Sequence, residues 1–151
     1  MEPTKVLVVD DDDAIVTMIG ARLARIGISI VPADHARQGL ARMQEHHFPV
    51  VITDLYMPGM QGEELICTLK REYPFTQIIV ITGETTTERI RRCLTLGVTD
   101  FFFKTEDLSS LDTSVSQALC RSVRWQHHVN ADNTFRKAAC SNCTPLQIVA
   151  D

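Results

Sequence analysis

Short apolar runs, too brief for helices, alternate along this chain with longer stretches whose apolar residues recur every three or four positions, and no other feature constrains the fold as much. Residues 5–9 (Lys-Val-Leu-Val-Val) are a near-continuous β-branched run, the pattern of a strand buried on both faces. Residues 28–32, 50–53, 77–81 and 99–103 read as further strands. After the first, Ile15, Met18, Ile19, Leu23 and Ile26 mark a helix that Gly27 stops. Residues 35–46 predict a helix with Ala36, Leu40 and Met43 inward, and Glu63 to Glu72 one with Leu65, Ile66 and Leu69 on one face. Met57-Pro58-Gly59 signals a turn between the third strand and that helix. Thr85 and Glu88 match a capping box opening a fourth helix, which Gly97 closes. A last helix is predicted from Asp107 to Arg124. Parallel strands need crossovers, so this order predicts an α/β fold: five parallel strands with helices on both faces.

At 151 residues, 44% hydrophobic and 23% charged, the chain has one domain's length and can bury a sizeable core. Its net charge of -4 argues against binding nucleic acid by overall charge. The apolar runs fall far short of the roughly 18 residues of a membrane span. The apolar stretch after Met1-Glu2-Pro3-Thr4-Lys5 is too short for a signal peptide. A cytoplasmic location and no membrane partner are therefore expected. Five cysteines, an odd number, suggest reduced thiols. Cys67, Cys93 and Cys120 lie in apolar-periodic segments and read as small buried hydrophobes. Cys140 and Cys143, with His127 and His128 upstream, have the spacing of half a zinc site. Structural zinc takes four ligands, so no metal is assigned there. Beyond Trp125, Asn130, Asp132, Asn133, Ser141, Asn142 and Pro145 break the periodicity. Residues 1–125 are expected to form the domain and 126–151 an extension or linker stub, too short for a DNA-binding domain.

Ligands of open parallel sheets bind beyond the carboxyl ends of the strands. The first strand ends in Asp10-Asp11-Asp12-Asp13, the third in Thr53-Asp54, the fourth in Thr82-Gly83 and the fifth in Lys104. Taken singly, each has an ordinary explanation. An acidic run opening a helix caps it and favours the positive dipole end, which suffices for Asp12 and Asp13. A strand-end Asp forms turns, a Thr caps, and a Lys is solvated. Their meeting at one rim is what those explanations leave out. Carboxylates crowded together repel unless a cation joins them, and the hard, oxygen-liganded choice is magnesium. Lys104 and Thr82 offer a phosphoryl group a point charge and a rotatable donor.

Four stretches resemble the receiver domains of two-component response regulators: Val8-Val9-Asp10-Asp11; Ile52 to Gly62 (Ile-Thr-Asp-Leu-Tyr-Met-Pro-Gly-Met-Gln-Gly); Ile79-Val80-Ile81-Thr82-Gly83-Glu84; and Gly97 to Lys104 (Gly-Val-Thr-Asp-Phe-Phe-Phe-Lys). The resemblance runs from residue 5 to about 125, in order and in register. It implies a doubly wound sheet of flavodoxin-like strand order 2-1-3-4-5. It implies that Asp54 accepts a phosphoryl group from a phosphohistidine, the partner being a sensor histidine kinase or a phosphotransfer protein. Asp10, Asp11, Asp54 and the backbone carbonyl of Tyr56 are then the ligands of Mg2+. Thr82 is the switch hydroxyl, Lys104 pairs with the phosphoryl group, and Phe101 is the switch aromatic. Tyr56 and Glu84 tune the lifetime of the phosphoaspartate. Such a chain is a signalling phosphoacceptor rather than an enzyme, with only slow self-phosphorylation and dephosphorylation at Asp54. The kinase and the output partner go unnamed, and a homodimer is among the assemblies open to it.

Two other readings compete. A receiver fold that works without phosphorylation should have lost Asp11, Asp54 or Lys104, and all are present. Asp10 and Asp12 also make the D-x-D pattern of metal-dependent phosphohydrolases, which would leave Asp54 without a role. There are also departures from the receiver pattern. Gly83 stands where alanine is frequent, and Thr105 where the family has a proline, usually behind a cis bond. A cis bond before any other residue costs about 3–4 kcal/mol, so a trans Lys104–Thr105 bond is predicted. Thr105 is then expected to cap the last helix, and the Lys104 ammonium to stand farther from Asp54 or to be less ordered than in the family.

Overall fold

The computed structural model describes residues 3–83 and 85–139, with side chains described as far as residue 130. The elements alternate as predicted: β1 (Lys5–Val9), α1 (Asp13–Ala24), β2 (Ser29–Ala33), α2 (Ala36–Glu45), β3 (Val50–Thr53), α3 (Gly62–Glu72), β4 (Gln77–Thr82), α4 (Thr87–Leu96), β5 (Asp100–Phe103) and α5 (Leu111–Ala139), the last preceded by a 3-10 turn at Leu108–Ser110. All strand pairs are parallel, in the order β2-β1-β3-β4-β5. The predicted α/β, doubly wound, flavodoxin-like sheet is the observed one.

Side chains alternate across each strand, and here both faces are apolar. Leu7, Val9, Val51, Ile78 and Val80 point to one side, where they pack with Ala36 and Met43 of α2, Leu65, Ile66 and Leu69 of α3, and Cys93 of α4. Val6, Val8, Val50, Ile52, Ile79 and Ile81 point to the other, onto Ile19 and Leu23 of α1 and Leu111, Val115 and Ala118 of α5. This is why β1, β3 and β4 read as unbroken apolar runs. β2 lies at an edge, and there Pro32 is exposed and tolerated.

Several local expectations need correction. Ile26 lies beyond the end of α1 and is exposed rather than inward, because Arg25 caps the helix and Gly27, at φ 79°, turns the chain away. The N-cap of α4 is Thr86, whose hydroxyl accepts from the Arg89 N–H at 3.2 Å, so the Thr85–Glu88 capping box does not form. Gly97 does close that helix, in the left-handed conformation. Of the three cysteines expected to be buried only Cys93 is; Cys67 and Cys120 are exposed, since each sits one position past an apolar residue and turns off the buried stripe. The last helix continues past Arg124 to Ala139. No glycine or proline interrupts Leu111 to Ala139, so the polar residues that break the apolar pattern do not break the helix. Gln126 on this segment contacts His47 at 2.6 Å. Cys140 and Cys143 lie outside the described residues, and His127 and His128 are exposed on α5.

Candidate functional site

The hydrogen-bond ladder continues one residue past the strands, and this places the rim residues. The Asp10 N–H donates to the Ala33 carbonyl at 3.0 Å and the Asp54 N–H to the Val9 carbonyl at 3.1 Å. Because Val9 pairs with Thr53, Asp10 and Asp54 stand side by side where the strand order reverses. The Lys104 N–H donates to the Thr82 carbonyl at 2.8 Å, which carries β5's end to the same rim.

Asp10, Asp11 and Asp54 bring one carboxylate oxygen each to within 4.8 Å of one another. Asp10 and Asp54 are 3% and 5% exposed, while Asp11 is open to solvent. Lys104 Nζ bridges the buried pair, lying 2.9 Å from Asp54 Oδ2 and 2.9 Å from Asp10 Oδ2. Burial pushes the Asp10 carboxyl above its ordinary value, against the opposing pull of the Asp12 N–H and Lys104. Lys104 is shifted upward: burial opposes its charge, but its hydrogen bonds to Asp54 and Asp10 outweigh that. Asp54 Oδ1 accepts from the N–H groups of Leu55 at 2.6 Å and Tyr56 at 3.3 Å. One oxygen of Asp54 is thus fixed by backbone donors and the other by an ammonium. Three carboxylates in this small space form an all-oxygen donor set, which fits a hard divalent cation.

The bond between Lys104 and Thr105 is trans, as expected, since no described peptide bond is cis. The expected consequences do not follow. Lys104 reaches Asp54 in full contact, because the Thr82 carbonyl anchors its backbone and Glu106 N–H closes the following turn on the Phe103 carbonyl. Asp107, not Thr105, caps the 3-10 turn ahead of α5, accepting from the Ser109 N–H at 2.9 Å. Asp12 caps α1 as predicted, accepting from the N–H groups of Ala14 and Ile15. That role absorbs the D-x-D pattern.

Thr82 is fully buried at the end of β4. Its register partner on β5 is Phe103, and Phe101, two positions down and opposite Val80, packs into the core under α4. The two rings touch, centroids 5.4 Å apart, so Phe103 neighbours both expected switch residues, Thr82 by register and Phe101 by ring contact. The sequence reading missed it, although its place two residues after Phe101 on one strand puts it on the same face. Glu84 lies outside the described residues. Tyr56 is 43% exposed.

Two further residues were not legible. Arg89 forms a two-pronged ion pair with Glu63, through Nε to Oε1 and Nη2 to Oε2. Its Nη2 also donates to the Leu55 carbonyl at 3.2 Å, and its guanidinium lies 4.0 Å from the centre of the Tyr56 ring. The Glu63 carboxyl is lowered chiefly by its hydrogen bond to Arg89, and Arg89 is raised in return. The one available signal was that a cation in the first turn of α4 opposes the helix dipole and so needs an anion nearby. Gly62 is fixed by a close approach: a Cβ there would come within 2.6 Å of both the Asp54 carbonyl oxygen and the Leu55 Cα.

Comparisons with known proteins point the same way. A family model described as the response regulator receiver domain matches residues 6–116. A response regulator receiver protein from Pseudomonas putida is 33% identical with a TM-score of 0.73, over 78% of this chain and 98% of that one. The BeF3-activated DrrB receiver domain is 25% identical with a TM-score of 0.70, over 78% of this chain and 98% of its own. The transcriptional regulatory protein GlrR of Escherichia coli K12 is 28% identical over 85% of this chain, a match that spans only 30% of GlrR. This chain therefore spans under a third of the length of that curated relative. With the family model covering most of the sequence and a receiver structure matched nearly end to end, the chain belongs to the response regulator receiver domain family.

Proposed function

We propose that this chain is the phosphoacceptor receiver of a two-component system and that Asp54 takes the phosphoryl group. The observation carrying this is the asymmetric fixing of Asp54: two backbone N–H groups on Oδ1 and Lys104 on Oδ2. A carboxylate so held is aimed, and its ammonium neighbour is placed to follow charge onto a phosphoryl group. An Asp54 oxygen attacks the phosphorus of a phosphohistidine on a sensor histidine kinase or phosphotransfer protein. The new P–O bond forms as the P–N bond breaks, and the imidazole leaves with its electron pair. Lys104 shifts from carboxylate to phosphoryl oxygen, keeping its hold on Asp10.

Asp10, Asp11, Asp54 and the Tyr56 carbonyl would hold Mg2+ in this reading. Bound there, the ion supplies charge neutralisation for the equatorial phosphoryl oxygens. The product adds about -1.5 to -2 charge at neutral pH, enough to turn the Thr82 hydroxyl toward it. Movement of Thr82 then reaches Phe101 through Phe103, and the face of β5, α4 and α5 changes its population between two arrangements. Tyr56 and Glu84 tune the lifetime of the phosphorylated state. Residues 1–125 make the receiver and 126–151 an extension or linker stub, acting in the cytoplasm with an output partner yet to be identified. Among the described residues no helix is long and apolar enough to cross a membrane.

Beryllium fluoride with Mg2+ tests the assignment. Calorimetry should record one site in the wild type and none in Asp54→Asn. Equal binding by the variant would place the acceptor elsewhere.

A further inference from the structure

Arg89 is held at three points, and two of them belong to the loop that carries Asp54. Its ion pair with Glu63 joins α4 to α3, with side chains only 18% and 11% exposed. Its other two contacts are the Leu55 carbonyl and the face of Tyr56, the two residues following Asp54. The Tyr56 N–H itself reaches Asp54 Oδ1 at 3.3 Å, so the base of this side chain stands beside the carboxylate. The ring is otherwise 43% exposed and has no further ring or cation contact among the described residues. Without the guanidinium it is free to swing into solvent.

We propose that Arg89 is a positioning residue that sets the lifetime of phosphorylated Asp54 by pinning Tyr56 and the Leu55 backbone; this rests on Asp54 being the acceptor. Loss of the group is a hydrolysis. Water attacks the phosphorus opposite the Asp54 oxygen, the P–O bond to the carboxyl breaks, Asp54 leaves as a carboxylate, and the released phosphate keeps the water's oxygen and both its protons. A ring fixed two residues from the acceptor narrows the water's approach, and a loop tied to α4 opens less often. Glu63 holds the guanidinium in register by its fork-to-fork pairing, which a lysine could not reproduce. The latch also ties the first turn of α4, the helix that follows Thr82, to the loop after Asp54.

The test uses the full chain, phosphorylated with acetyl phosphate and Mg2+, with the donor then removed and the phosphoryl mass on Asp54 followed over time. Arg89→Ala should lose the group about fivefold faster than wild type, the size expected from one lost cation–π contact. Arg89→Lys should recover only part of the lifetime despite keeping the charge. In a Tyr56→Ala background, Arg89→Ala should have a smaller effect, because only its hold on the Leu55 backbone is then left to lose. Thermal melts accompany each variant, and Arg89→Lys carries the comparison if the alanine variant is poorly folded. Wild-type decay in Arg89→Ala and in Arg89→Lys, or an undiminished effect of Arg89→Ala without Tyr56, overturns the proposal. A wild type that takes no label at Asp54 overturns the acceptor assignment itself, and the latch with it.

Discussion

Among the described residues Lys104 is the one cation in contact with the two buried carboxylates, and Asp11 adds a third negative group within 4.8 Å. Such crowding costs stability, because burial and like charge both disfavour ionised Asp10. Asp10→Asn keeps an oxygen for the Asp12 N–H and removes one charge. It should therefore raise the melting temperature of the metal-free protein by about 2–4 °C, a gain of roughly 1 kcal/mol, while weakening Mg2+ binding. A lower melting temperature would show that the Lys104 bridge outweighs the repulsion. Two glycines of the rim separate cleanly. Gly62→Ala drives a Cβ to within 2.6 Å of backbone atoms of Asp54 and Leu55 and should cost about 1–3 kcal/mol in urea unfolding. At Gly83 the nearest neighbour is the Lys104 stem at 3.8 Å, so Gly83→Ala should be neutral or stabilising by about 0.4–1 kcal/mol. Asp10, Asp54, Thr82 and Lys104 were legible because strand ends announce themselves as polar residues closing apolar runs. Phe103 and Arg89 were not, since a ring in an apolar strand and a charge on a helix carry no mark of what they touch.

Among the elements, α4 is tied to α3 by a contact between residues 26 positions apart in sequence. Its first turn carries Arg89 against the helix dipole, and Glu63 on α3 compensates. The Glu63 carboxyl lies below its unfolded value of 4.5, so its contribution to stability is complete above that pH and fades as pH falls through the lower folded value. Glu63→Gln should accordingly lose less stability than wild type as pH falls below 4.5, measured as urea midpoints. Parallel acid limbs in the two proteins would deny the pair any energetic role. The strands were read within a residue or so because both-face burial leaves continuous apolar runs. The start of α4 was misplaced because Thr85 and Thr86 are both competent caps, and only the geometry shows that Thr86 accepts the Arg89 N–H. The end of α5 was misplaced for a different reason. Loss of apolar periodicity marks where a helix stops burying an apolar face, not where its hydrogen bonding stops, and α5's fully buried apolar side chains are Leu111, Val115 and Ala118.

At the scale of the whole molecule, alternation of strand and helix was enough to predict a parallel sheet, and the resemblance carried by the four motifs supplied the strand order. The two apolar clusters, one on each face, leave the carboxyl edge as the place where polar side chains from β1, β3, β4 and β5 converge. In the proposed function a phosphoryl group arriving there would meet rigid strand ends, and its charge would be read out through the less buried α4 and β5. The measurement that bears most directly on this account is the mass of the intact protein after incubation with acetyl phosphate and Mg2+, followed by mapping of the modified residue. The account predicts a single phosphoryl group on Asp54, absent in Asp54→Asn and absent when the divalent ion is chelated. A group found on another residue, or one gained equally by Asp54→Asn, would contradict it.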